Sequence, residues 1–306
     1  MKVTSVTPPI QWYPGHIAKA EKNLLEQLKR VDVVLEVRDA RIPLASTHPQ
    51  VQQWIGEKPK ILVLNRVDLI SPKAVELWRD WFRTQGEKAY YTDAQHGKGI
   101  DLLTKAAQAT GEKLNQRRRD RGMNPRAVRA VVIGFPNVGK SALINRLLNR
   151  RVVESARKPG VTRQLRWVRI SPELDLLDAP GVLPGRLTDQ AAAYRLAMCD
   201  DIGEGAYDRQ LVAAALVEQI QQMECCNRQW PHWVPSSPLQ TRYGVELDGL
   251  AGDEYLAEVA QTKFQGDVER TAHHILNDFR KGLLGAIALE APPLALELPA
   301  QNSENL

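Results

Sequence analysis

Cysteine is scarce in this chain. Three occur in 306 residues, Cys199, Cys225 and Cys226. None has metal-ligand spacing, so no disulfide framework and no thiolate zinc site is expected, and an odd count with an adjacent pair suits a reducing cytoplasm. Long apolar runs are missing too: no stretch approaches a membrane span of about 20 residues, and no membrane partner is expected. The first ten residues hold Pro8-Pro9 and no apolar core, unlike a signal peptide. His273 and His274 have no second ligand cluster, which leaves them a poor metal site. No internal repeat is visible. Acids nearly vanish between residues 113 and 169, where every charged residue except Asp120 and Glu154 is basic. A run of this kind is commonly a solvated face. Its length and its concentration favour a surface for RNA phosphates.

What is present is chemically explicit. Gly134-Phe135-Pro136-Asn137-Val138-Gly139-Lys140-Ser141 completes the pattern G-x-x-x-x-G-K-S. It follows the β-branched run Val131–Ile133 and precedes Leu143, Ile144, Leu147 and Leu148 at helical spacing, the strand–loop–helix setting the motif requires. Glycines let the loop Pro136–Ala142 approach phosphate oxygens through its backbone N–H groups, which begin at Asn137, and the helix start adds its positive end. Lys140 is expected on the β and γ phosphates, and the Ser141 hydroxyl on Mg²⁺.

A second strand, Ile61–Leu64, ends in Asn65-Arg66-Val67-Asp68. Ligands bind at strand C-termini in open α/β sheets. Asp68 can accept from guanine N1–H and N2–H₂, a donor pair adenine lacks. Asn65 can donate to the N7 edge, and Arg66 can lay its guanidinium plane over the base. By itself the motif also reads as an aspartate capping a helix; beside a complete phosphate loop it points to guanine. Tyr91-Thr92-Asp93-Ala94 is a third strand end, with Ala94 N–H a candidate for guanine O6. Asp178-Ala179-Pro180-Gly181 resembles the D-x-x-G switch, with Asp178 orienting Mg²⁺ and Gly181 N–H meeting the γ-phosphate. Thr162, in Lys158–Arg163, stands where the first switch would close over Mg²⁺; otherwise it is a loop threonine. Val182 occupies the position where Ras-like enzymes carry a water-orienting Gln.

The guanine motif precedes the phosphate loop, the reverse of the ordinary GTPase order. In this the chain resembles the circularly permuted ribosome-assembly GTPases of the YlqF/RbgA family. The resemblance runs from Gln11-Trp12-Tyr13-Pro14-Gly15-His16-Ile17-Ala18-Lys19-Ala20 through Asp39–Pro43, the guanine motif, the phosphate loop with Ile144-Asn145-Arg146-Leu147, Pro159–Thr162 and Asp178–Gly181. It covers about residues 10–185; beyond about 200 the match is loose. It implies a P-loop NTPase (Ras-like) α/β fold, permuted and followed by a small all-α domain, and GTP hydrolysis in late maturation of the large (50S) subunit. The expected partners are GTP/GDP and the large subunit with its rRNA, the chain being cytoplasmic and monomeric. It also implies a K⁺ ion held by Asn137, although Asn137 also reads as a plain loop residue.

The expected organisation is a leader (1–16), a GTPase domain (17–185), a helical RNA-binding domain (186–288) and a disordered tail (289–306). A basic linker, Gln116–Arg126, joins the permuted halves. His16 in the leader is the candidate to replace the missing Gln by orienting water; an rRNA contact or a helix cap are its other readings. Trp12, Tyr13 and Lys19 could stack on and pair with RNA. Two other classes stay open: an RNA-binding scaffold that uses nucleotide without hydrolysing it, which Val182 favours, and a GTPase acting on another structured RNA.

Overall fold

The computed structural model describes residues 9–10, 15–148, 166–172, 174–179, 181, 187–226, 233–247 and 249–293, with backbone alone at 15–21, 166 and 226. The described chain forms two compact units, one made of Met1–Arg66 with Tyr90–Asp208, the other of Val67–Ala89 with Arg209–Leu306.

The first unit is built on a six-stranded sheet. Its strands are β1 (Val33–Asp39), β2 (Lys60–Asn65), β3 (Ala89–Thr92), β4 (Val128–Ile133), β5 (Arg166–Ser171) and β6 (Leu174–Asp178). They lie in the order β3-β2-β1-β4-β6-β5. β1 runs parallel to β2 and β4, β4 parallel to β6, and β5 antiparallel to β6. Central strands covered on both faces read as continuous apolar runs, and every residue of β1 is buried, Glu36 and Arg38 as a mutual ion pair.

Helix α1 (Gly15–Leu28) and the short α2 (Val51–Ile55) cover one face. Leu24 and Leu28, four apart on α1, join Val51 and Ile55 in a core with Val34, Val131, Ile133, Leu177 and Ala179. Ala179, in place of the usual switch threonine, is thus a core residue. Because α1 begins at Gly15, His16 belongs to its first turn rather than to a leader; its side chain lies outside the described residues, as do Trp12 and Tyr13. Before α1, Ile10 is buried, and its N–H donates to Gln190 Oε1 at 2.8 Å.

α3 (Pro72–Thr84) starts at an N-cap, where Ser71 accepts from Ala74 N–H with Pro72 in the first turn. α4 (Ile100–Asp120) is longer than the spacing of its apolar residues suggests and absorbs Gln116–Asp120, which the sequence assigned to the linker. Arg117, Arg118 and Arg119 fill its last turn, where cations offset the negative helix end. α5 (Lys140–Leu147) follows the phosphate loop, and α6 (Gln190–Met198) is capped by Asp189.

The second unit is helical: α3 with α7 (Arg209–Cys226), α8 (Pro238–Tyr243), α9 (Gly252–Lys263) and α10 (Val268–Arg280). Its boundaries differ from the expected 186–288. α6 and the turn after it stay with the sheet. Residues 67–89 instead join the helices, because Leu69 O accepts from Ile287 N–H at 2.9 Å and Gly282 lies against the Leu69 side chain. The expected tail also begins too early, since Leu289 and Glu290 are buried and Leu289 O accepts from Gln219. From residue 294 the chain lies outside the described residues. No described helix is long and apolar enough to cross a membrane.

Candidate nucleotide site

The phosphate loop leaves the C-terminal end of β4 and enters α5 at Lys140. Gly139 has φ 100°, and a Cβ there would fall 2.2 Å from Asn65 Nδ2, so only glycine fits. Lys140 Nζ bends back onto Phe135 O at 2.7 Å and Gly134 O at 3.2 Å, holding the loop's own carbonyls. Burial pushes Lys140 down to about 8, although Asp178 and Asp201 pull it upward. A phosphate in the loop would give this ammonium a stronger partner than two carbonyls.

Asp178 is the last residue of β6, paired in register with Val132 of β4. The strand pairing brings it to the loop, and the Ser141 side chain hydrogen-bonds its carboxylate. Burial raises Asp178 to about 6 against the opposing effects of Lys140 and Ser141. Its Oδ1 has no hydrogen-bond partner among the described residues, though Asp178 is only 2% exposed. Gly181 packs on the loop as well; a Cβ on it would fall 2.5 Å from Pro136 Cα. Val138 is fully buried and Ala142 half-buried in the first turn of α5. Thr162 and Val182 lie outside the described residues.

Asn65 is a brace. Its Nδ2 donates to Val138 O at 2.9 Å, while Oδ1 accepts from Thr92 Oγ1 and Ala94 N, each at 3.1 Å. The guanine strand, the phosphate loop and the third strand end are thereby tied through one side chain. The Ala94 N–H, the expected candidate for guanine O6, donates to Asn65 Oδ1 here. Asp93 is likewise occupied in shaping its loop, accepting from Gln95 N and His96 N and contacting His96 Nδ1 at 2.6 Å. Asp68 is exposed on a 3₁₀ turn, Val67–Leu69. Arg66 adopts φ 64°, which aims its guanidinium at Asn137 O and at Asp39 Oδ2, 3.2 Å away. Asn137, with φ 55°, donates through Nδ2 to Asp200 O at 2.7 Å.

Comparison with known proteins decides the family. Residues 129–224 match the family described as 50S ribosome-binding GTPase. The ribosome biogenesis GTPase A of Bacillus cereus is 34% identical over 92% of this chain and 94% of its own. That of Priestia megaterium is 40% identical over 67% of this chain and 71% of its own. The chain belongs to the ribosome biogenesis GTPase A family. In fold this GTPase is similar to the crystal structure of GNP-bound YlqF from T. maritima, with a TM-score of 0.62 at 23% identity over 90% of this chain and 99% of that one.

The GTPase carries site residues that sequence reasoning missed. Asp39 and Arg41, both fully buried, form a bidentate pair at 2.7 and 3.0 Å, and Arg41 also reaches Cys199 O. Burial alone would raise Asp39, but Arg41 and Arg66 hold its carboxyl below the usual range. Asp201 is completely buried with neither carboxylate oxygen bonded among the described residues; burial, then Asp39, pushes it well above the usual carboxylate range. Arg146, at the end of α5, donates to Ala94 O and Gln95 O and fixes the third strand end. The Asp-Ala-Arg motif had pointed to Asp39 and Arg41 without a role; nothing local marks Asp201.

Proposed function

We propose that this GTPase hydrolyses GTP to GDP and phosphate to drive a late step in large-subunit assembly, through a circularly permuted G domain whose guanine strand precedes its phosphate strand. One observation carries the reading: Asn65 holds the guanine motif, the phosphate loop and the Thr92–Ala94 turn in one hydrogen-bonded unit at the C-terminal ends of β2, β4 and β3. Lys140, Ser141, Asp178 and Gly181 converge beside it.

The residues fit Mg²⁺. Ser141 and Asp178 are in contact, and the unsatisfied, buried Asp178 Oδ1 is an oxygen that a hard cation would satisfy. When bound, the ion neutralises charge between the β and γ phosphates. The chain's own part is to release Lys140 from Gly134 and Phe135 onto phosphate, to present loop N–H groups, and to report the γ-phosphate at Gly181. Asp68 reads the guanine N1 and N2 protons beside Arg66, whose plane is held by Asn137 O and Asp39. Asn137 keeps its amide nitrogen on Asp200, which turns its amide oxygen toward the role of K⁺ ligand. His16 orients water in place of the absent Gln, Thr162 closes over the metal, and the basic surfaces and second unit bind rRNA. The chain acts as a cytoplasmic monomer.

The test is GTP turnover with and without purified large subunits, in K⁺ and in Na⁺. Strong stimulation by the large subunit, greater in K⁺, is expected; His16→Ala lowers stimulated turnover and leaves GTP affinity intact. Tight GTP binding with no stimulation by either subunit or by tRNA would replace this reading with a non-hydrolysing scaffold. Equal turnover in both salts would remove K⁺.

A further inference from the structure

Trp167 is 40% exposed on β5, an edge strand of the sheet. Arg169 lies two residues on, on the same face of the strand. The register places Asp175 of β6 beside Arg169 on one side and Arg129 of β4 on the other. The Arg129 guanidinium sits over the Trp167 ring, 5.9 Å from its centroid. Arg30, from the turn after α1, completes the walls of a cavity of about 490 Å³. Three arginines from three parts of the chain thus line one cavity with the indole. The one acid lining the cavity among the described residues, Asp175, is paired with Arg169.

Edge strands often carry charge to block pairing with other chains, and that accounts for arginines here. It does not account for the indole, since an exposed Trp on an edge invites the association that charge prevents. An aromatic face flanked by cations is instead the chemistry that holds an unpaired nucleotide, the base stacking and the phosphate paired.

The cations continue beyond the cavity. Asp32 accepts Arg129 N–H at 2.9 Å and pairs with Arg126 through two 2.8 Å bonds. Asp32 and Arg126 also line a second hollow, of about 240 Å³, with Arg117, Arg118 and Arg121 at the end of α4. Both hollows meet β4 at Val128–Arg129, its N-terminal end. The phosphate loop leaves the other end, five residues on, or about 16 Å away.

We propose that Trp167 with Arg30, Arg129 and Arg169 forms a binding site for single-stranded RNA, continued by the α4 arginines as a track for backbone phosphates, and that this site binds RNA in the same way whichever nucleotide fills the phosphate loop. It rests on the RNA-facing function proposed above, and adds to it an anchor separate from the nucleotide switch.

The experiment uses the full chain and a fluorescently labelled, unstructured RNA of about ten nucleotides, enough to span one such groove. Anisotropy is read without nucleotide, with GDP and with a non-hydrolysable GTP analogue, over a range of salt. Equal affinity in all three states is expected. Trp167→Ala weakens binding roughly 5- to 100-fold, while Trp167→Phe keeps affinity within a few-fold. Arg30→Ala and Arg129→Ala each reduce the slope of log affinity against log salt by about 0.7. Thermal midpoints and Trp167→Phe together show that a loss is not misfolding. Unchanged binding by Trp167→Ala overturns the site. Binding only in the GTP-analogue state overturns its independence from the switch. Equal competition by an acidic peptide or by anionic vesicles would mean that the surface takes another partner. Large-subunit-stimulated turnover of the wild type is measured alongside. Strong stimulation with normal RNA binding by Trp167→Ala sinks this inference alone; loss of RNA binding in the variants with no stimulation in the wild type sinks the proposed function alone.

Discussion

Asp68 and Asp201 are both aspartates flanking the nucleotide loops, and their surroundings make them opposites. Asp68 is exposed on its 3₁₀ turn, and in the proposed function it accepts two guanine protons. Asp68→Asn is expected to lose GTP affinity by roughly 100-fold or more, since two charge-assisted bonds disappear, and to gain affinity for xanthosine triphosphate, whose O2 accepts from the new amide. Competition binding with both nucleotides checks this; retained preference for GTP would count against Asp68 as the base reader. Asp201 is buried with no hydrogen-bond partner among the described residues, and its folded pKa is raised. A raised acid contributes stability below its unfolded pKa, near 4, and loses it as pH rises toward the folded value. At pH 7 it is therefore a burden. Asp201→Asn is expected to raise the melting midpoint at pH 7, with the gain shrinking toward pH 4. A lower midpoint at pH 7 would show a partner that relieves the carboxylate.

Among elements, the strands and most helices of the first unit follow from their patterns. The β-branched runs Ile61–Leu64 and Val131–Ile133 lie within β2 and β4. α4 was underestimated because its last turn is polar and basic, and apolar spacing cannot see a helix end stabilised by the macrodipole. The second unit was less legible. α9 buries Tyr255, Leu256, Val259 and Ala260 at helical spacing, a pattern short enough to be passed over. α8 is joined to α10 by a polar contact no periodicity reveals: Asp278 accepts from Tyr243 Oη and Arg242 Nε, each at 2.8 Å. Asp278→Ala leaves the buried Tyr243 hydroxyl without this partner and is expected to destabilise the protein by about 1–3 kcal/mol. Urea unfolding measures it, and a change within error would show the contact to be incidental.

For the whole molecule, the division into two units is the larger surprise. α3 belongs by chain position to the guanine strand, but its segment packs with the C-terminal helices through Leu69, Gly282 and Ile287. A fragment ending at Asp208 is expected to lose those partners, expose the surface around Leu69, and bind a hydrophobic dye or aggregate; a well-folded, soluble fragment would contradict this packing. The sequence by itself determined the chemistry: the phosphate loop, the guanine motif and the switch aspartate each act through consecutive residues whose backbone must take one shape. The tertiary structure decided how they are joined. Asn65 reaches Val138 across 73 residues and Arg41 reaches Cys199 across 158. Pairings at that separation are set by strand order and burial, and leave no periodic trace in the chain.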